Sequence, residues 1–277
     1  MTKCSRSAKY CAPLTITLLF FAFISSPNLA SSNYYLSSEH SISIEKEIEQ
    51  YLDLFDSLVL PENNYTRGLS WNYSEYILGL GYIYEYFNDQ DVLARMVRGS
   101  DYLISRRNDY YDKLILYVDD QMLPVWPAFE DRWKLNNKAV PFTNHLMTAN
   151  IMQPIAMTAL FLSQSGNRAH QEKARYYIRQ LEQTLDKFSF SELWFDKQKN
   201  LFIHANTSKL SEIKEVPSYQ VGEPVSFNRI LMMSSVLYLI LKTKEILNLQ
   251  KKHHHKKNYQ INLFSLQVLK RVQRKLF

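Results

Sequence analysis

Three times along this chain an apolar stretch leads, through a polar connection, into a two-faced stretch, and any fold must satisfy that alternation. Tyr76 to Phe87 is apolar almost all round, Asn88-Asp89-Gln90 makes a turn, and Asp91 to about Arg107 returns with Leu93, Met96, Val97, Leu103 and Ile104 on one side. Pro154 to Leu162 is the second apolar arm; its proline fits a first helical turn, or kinks a helix begun near Thr148. Ser165-Gly166-Asn167 then turns the chain, and the return arm sets Ala174, Tyr177, Ile178, Leu181, Leu185 and Phe188 at helical spacing. The third apolar arm runs from Phe227 to Leu241, with Ser226 as its cap. The basic stretch Lys251 to Lys257 leads on to an amphipathic arm with Ile261, Phe264, Val268, Leu269, Val272 and Leu276. A helix apolar on all sides must be enclosed by its neighbours, whereas a striped one keeps a face in water. The pattern therefore predicts an all-α fold of about three αα-hairpins. An initial helix precedes them, with Ile44, Ile48, Tyr51, Leu52 and Phe55 on its buried face, Ser43 as its cap, and Glu45 and Glu47 near its positive end.

The connections between hairpins, about 108 to 147 and 190 to 225, are long for a compact domain. Loops of that length are usually functional or hold small structure of their own. Leu114 to Val118 and Leu201 to His204 are candidates for short strands. All four tryptophans fall in or beside such connections: Trp71 before the first hairpin, Trp126 and Trp133 before the second, Trp194 before the third. If the first arms run side by side, the connections emerge at one end and the indoles line a shared mouth, a surface suited to stacking sugar rings.

Residues 1–30 read as a signal peptide. Lys3, Arg6 and Lys9 precede the apolar run Pro13 to Ile24, and Asn28-Leu29-Ala30 offers a small-residue cleavage site; the competing reading is an uncleaved anchor. Both cysteines, Cys4 and Cys11, fall in this segment, so residues 31–277 hold none and rely on no disulfide. The expected address is the periplasm or the extracellular space. The net charge of +6 is carried by the two ends: residues 31–250 hold 22 basic against 27 acidic side chains. A mildly acidic, exported body argues against nucleic acid as a partner. The basic segment 251–277 offers a peripheral contact with anionic lipid, and its plain reading is a solvated outer helix.

The run Trp71-Asn72-Tyr73-Ser74-Glu75-Tyr76-Ile77-Leu78-Gly79-Leu80-Gly81 through Ala94, with the entries Asn150–Pro154 and Phe227–Asn228, resembles hairpins of the six-hairpin glycosidase-like superfamily, the (α/α)6 toroids. The resemblance covers residues 44–277 in rhythm and these stretches in actual residues. It implies a polysaccharide-binding cleft at one toroid face, with catalytic Asp, Glu, Tyr or His from the loops and inner-helix ends. The implied reaction is that of a glycoside hydrolase or of a uronate lyase or epimerase. A closed toroid needs six hairpins and this chain holds three, so it reads as a truncated relative or an open half-ring, with activity in doubt.

Glycoside hydrolysis requires one carboxyl kept protonated by burial and a second that is ionised. Glu130, between Trp126 and Trp133, is the candidate acid, and Asp120 the candidate partner; the plain alternative for both is a solvated loop carboxylate. Glu75 stands where it could enter the same mouth or simply complement the helix dipole, and Glu223 has the same two readings. His145 is a candidate proton shuttle or a local hydrogen bonder. Trp71, Trp126, Trp133, Trp194 and Tyr73 are the candidate substrate-binding aromatics; the indoles otherwise anchor loops on the core. His253 to His255 sit among lysines as consecutive side chains that converge poorly on a metal, so neither metal nor cofactor is expected. Asn64, Asn72 and Asn206 stand in glycosylation sequons, which matter in a eukaryotic host.

The expected function is therefore that of an exported carbohydrate-active or carbohydrate-binding protein with a polysaccharide or oligosaccharide partner. The alternative is a tetratricopeptide-like protein-binding adaptor, because Leu80-Gly81-x-x-Tyr84 matches part of that consensus.

Overall fold

The computed structural model describes residues 38–129, 133–213 and 220–252. The chain divides into two compact units, residues 1–51 and 52–277. In the first, the described part belongs to helix α1, Ser38–Asp56, which contains the boundary. Its predicted face is its less exposed one: Ile44, Ile48, Tyr51 and Leu52 are partly buried and Phe55 is buried, while Glu45, Lys46 and Glu47 face water. Ser43 is not the cap, because the helix begins earlier, at Ser38.

The second unit is built from helical hairpins, and helix dominates the described residues as the sequence predicts. A π-turn at Leu69–Tyr73 leads into α2, Ser74–Phe87, where Ser74 Oγ donates to the Leu69 carbonyl at 2.7 Å. Asn88 ends α2 in the left-handed conformation (φ 52°), a stop that asparagine tolerates well. Asp89 then caps α3, Gln90–Ser105, accepting from the Asp91 amide at 2.7 Å. The second hairpin repeats this: α4, His145–Gln164, is capped by Asn144, and α5, Arg168–Thr184, by Asn167. Pro154 lies inside α4, which starts at His145, so it does not occupy the first helical turn. The long α7, Phe227–Lys252, runs on well beyond Leu241.

α4 is the hub, packing against α2, α3, α5 and α7. It is long and apolar enough to cross a membrane, yet 83% of its apolar window is buried among its neighbours. Two glycines allow the close approaches around it. A Cβ on Gly81 would lie 2.6 Å from Met157 Sδ of α4, and one on Gly99 2.7 Å from Ile77 Cδ1 of α2. The stripe of α5 is buried as predicted at Ala174, Tyr177, Ile178 and Leu181, and continues through the π-turn Leu185–Ser189 with Leu185 and Phe188.

The long connections hold small structure. β1 (Lys134–Leu135) pairs with β2 (Lys138–Ala139) across Asn136-Asn137, both at positive φ, as a tight hairpin turn requires. β3 (Phe195–Asp196) pairs with β4 (Leu201–Phe202), followed by the short helix α6, Ser208–Glu212. The expected strand at Leu114–Val118 reduces to one bridge, Leu116 to Gln121, whereas Leu201–His204 does contain β4 and a bridge from Ile203 to Pro224. The predicted arm at Ile261–Leu276 and the His253–His255 run lie outside the described residues.

Candidate functional site

The three connections do meet. Asn64, before the first hairpin, donates to the Trp126 carbonyl at 3.0 Å, and Tyr65 packs edge-on against Phe129 at 4.7 Å. Connections two and three are joined by Trp194 Nε1 to Asp119 Oδ1 (2.7 Å), by Tyr117 OH to Glu212 Oε2 (2.7 Å) and by the ion pair of Lys209 with Asp120. Asn108 organises the start of the second connection, donating to the Leu114 and Leu123 carbonyls and accepting from the Leu114 amide.

What they enclose is a core, not a mouth. Trp126 and Trp194 are each 1% exposed and Trp133 is 5% exposed. Trp133 and Trp194 lie on either side of Phe142, at centroid distances of 4.6 and 6.2 Å, and Phe188 stands 4.9 Å from Trp194. Trp126 Nε1 donates to the Leu103 carbonyl at 2.7 Å, tying its connection to the end of α3. Trp71 alone is partly exposed, with its indole N–H buried and unpartnered among the described residues. The expected indole platform is therefore corrected. Such rings bury more apolar area than any other side chain, and here that area seals the loops onto the helices.

The candidate catalytic groups are also redistributed. Asp120 is exposed, at φ 53°, and ion-paired with Lys209, which leaves it solvated rather than poised as a partner. Glu130 lies outside the described residues. Glu75 is an exposed first-turn residue of α2 whose carboxyl is raised by the protein packed around it. The carboxyl that burial singles out is Asp119, pushed up to about 6; the Trp194 hydrogen bond opposes the shift and the charge on Asp120 adds to it. Only its adjacency to Asp120 could have pointed to it.

His145 is fully enclosed, with Phe188, Trp194 and Phe202 at centroid distances of 5.2, 5.5 and 5.1 Å. Neither ring nitrogen makes a hydrogen bond of good geometry among the described residues, and the Ser189 backbone is the one polar group acting on the ring at hydrogen-bond range. Burial drives its pKa down to about 3; the Ser189 backbone works against that fall, while the charges of Arg229 and His204 add to it. A neutral, walled-in imidazole is no proton shuttle. His204 is more accessible, held against Arg229 Nη1 at 3.3 Å, and burial with that guanidinium lowers it to about 4.

An open groove of about 550 Å³ lies elsewhere, between the end of α1, the chain to Leu60, and α3. Phe55 and Tyr73, stacked at 5.9 Å, line it, with Tyr102 edge-on to Tyr73 at 5.5 Å. Asp56, Arg98, Asp101 and Ser105 bring polar groups to it. The Arg95 and Arg98 guanidiniums hold the Asp56 carboxyl below the usual range. Asp101 accepts from Lys173 Nζ (2.7 Å) and Tyr177 OH (2.9 Å). Of the predicted substrate-binding residues, Tyr73 is the one that borders this groove. No group of three or more His, Cys, Asp or Glu arranged to hold a metal occurs among the described residues.

These features define a helical-hairpin protein with a loop-sealed aromatic core and an open groove beside α3. Comparisons with protein-family models, curated proteins and solved structures give no match for this chain.

Proposed function

We propose that this is an exported helical-hairpin protein, an incomplete relative of the (α/α)6 toroids, that binds polysaccharide rather than cleaving it. The observation that carries the reading is the groove of about 550 Å³, within the range of small-ligand sites, in which the partly exposed Tyr102 is the ring open to a ligand while Phe55 and Tyr73, each 3% exposed, form the floor. An accessible aromatic ring with a few fixed polar groups around it suits a sugar, which offers apolar C–H faces and hydroxyl edges. Binding is favoured over hydrolysis because both carboxylates of the groove are engaged by cations, Asp56 by Arg95 and Asp101 by Lys173, which leaves no unpaired carboxyl pair to flank a glycosidic bond there.

Calorimetric titration of the purified protein with a panel of soluble polysaccharides tests this. Saturable heat with at least one glycan, weakened about tenfold in Tyr102→Ala and Arg98→Ala, is the expected result. Silence across the panel, or affinity indifferent to both substitutions, sinks it.

One observation favours the adaptor reading. In Leu80-Gly81-x-x-Tyr84 the glycine faces Met157 of the next hairpin, a close helix approach of the kind stacked helical repeats use. Capture of a defined protein by the wild type, with no glycan binding, selects that alternative.

A further inference from the structure

We infer an oxyanion-binding site, separate from the Tyr73 groove, in the cleft between α5 and α7. The cleft has a volume of about 170 Å³ and is lined by Arg175, Ile178, Arg179, Lys244, Leu247 and Asn248. Arg175 and Arg179 stand one helical turn apart on α5, and Lys244 faces them from α7. Arg175 Nη1 is buried with no hydrogen-bond acceptor among the described residues. A charged donor shut away from water without an acceptor costs free energy, and native structures rarely leave one so. Ile178 and Leu247 are 4% and 5% exposed, so the floor beneath these cations is apolar and shields Arg175 Nη1 from water, while Arg179 is exposed and Lys244 half-exposed at the rim.

The described residues supply little to answer this charge. Among the described residues the one carboxylate engaging these cations is Glu182, which takes Lys244 Nζ at 2.6 Å and leaves the two guanidiniums. Residues 251–277 hold no Asp or Glu, so no acidic side chain from that segment can enter the cleft. Guanidiniums bind the oxygens of phosphate, sulfate and carboxylate in a forked geometry. Cations converging from two helices, with more than one net positive charge, favour a tetrahedral dianion over a monovalent carboxylate. The cleft has room for such an ion with some of its water, each water taking about 30 Å³. The ligand class is accordingly phosphate or sulfate, free or as an ester on a larger molecule.

The test is thermal stability and calorimetry of the whole protein with inorganic phosphate, inorganic sulfate and glucuronate, each against sodium chloride at equal ionic strength. Phosphate or sulfate should raise the Tm saturably where chloride does not. Binding should weaken about tenfold or more in Arg175→Gln/Arg179→Gln. In Glu182→Gln, which frees the Lys244 ammonium without touching either arginine, it should tighten several-fold. Equal responses to phosphate, sulfate and chloride, or glucuronate binding alone, would overturn the assignment. So would dianion binding unchanged in both variants. The Glu182 variant keeps the question decidable if the double variant fails to fold.

Discussion

Trp194 donates its indole N–H to Asp119 Oδ1 at 2.7 Å, bridging two connections that are 75 residues apart in sequence. The bond fixes a ring that also touches Phe142, Phe188 and His145, so the polar contact orients the centre of the loop-borne core. It also satisfies one oxygen of a carboxyl that burial has made reluctant to ionise.

Asp119→Asn should therefore remove a pH-dependent cost while keeping an acceptor for the indole. The folded pKa, about 6, lies above the ordinary 3.8, so the contribution of Asp119 is fully present below pH 3.8 and is lost as pH rises through 6. The variant should gain on the wild type across that window and be at least as stable above it. Urea midpoints measured from pH 4 to 8 check this; a constant offset between the two proteins rejects it.

His145 should act with the opposite sign. Its folded pKa, about 3, is below the ordinary 6.5, so its contribution is present above pH 6.5 and is lost as pH falls toward 3. The slope from one such group approaches about 1.4 kcal/mol per pH unit. His145→Phe puts a ring of similar shape among Phe188, Trp194 and Phe202 and needs no hydrogen bond. Its stability relative to wild type should climb steadily from pH 6.5 to 4.5, and parallel acid limbs in chemical denaturation would refute the point.

Much of this architecture was legible in local chemistry. The turns at Asn88-Asp89 and Ser165-Gly166-Asn167, and the stripes of α3 and α5, follow from side-chain periodicity and capping, which act over a few residues. The placement of the tryptophans was not legible. A loop indole reads the same whether it faces a ligand or a neighbouring loop, and the contacts that decide, Trp194 to Asp119 and Trp126 to Leu103, are long-range. The groove was invisible for the same reason: Phe55, Tyr73 and Tyr102 lie in separate elements, and no spacing joins them.

Arg107 is another residue that no motif announces. It is 1% exposed, forks onto both oxygens of Asp109 at 2.7 and 2.9 Å, and donates to the Gln180 carbonyl and to Oε1 of Gln180 and Gln183. Its guanidinium thereby locks the end of α3 to the end of α5. Arg107→Met keeps the stem but strands those acceptors, and a cost of about 3 kcal/mol is expected by analogy with broken buried pairs, at the low end because Asp109 is partly exposed. Arg107→Lys should recover only a minor part, since an ammonium lacks the planar fork. Equilibrium denaturation of both variants reads this directly, and a loss under 1 kcal/mol for the methionine variant would show the network to be dispensable.

Gly99 sets the spacing of the first hairpin. In mid-helix an alanine ordinarily gains about 0.8–1.0 kcal/mol over glycine. Here a Cβ would fall 2.7 Å from Ile77 Cδ1 and 2.8 Å from Cγ1, and Ile77 is fully buried with a stiff, branched side chain. Overpacking of this kind costs about 1–3 kcal/mol, so the propensity gain should be exceeded and Gly99→Ala should destabilise. The relief test is the double variant Gly99→Ala/Ile77→Val, which deletes the encroached Cδ1 and should recover part of the loss despite its own cost. A stabilised single variant, or losses that simply add in the double, would mean that α2 and α3 separate freely and that Gly99 does not set their distance.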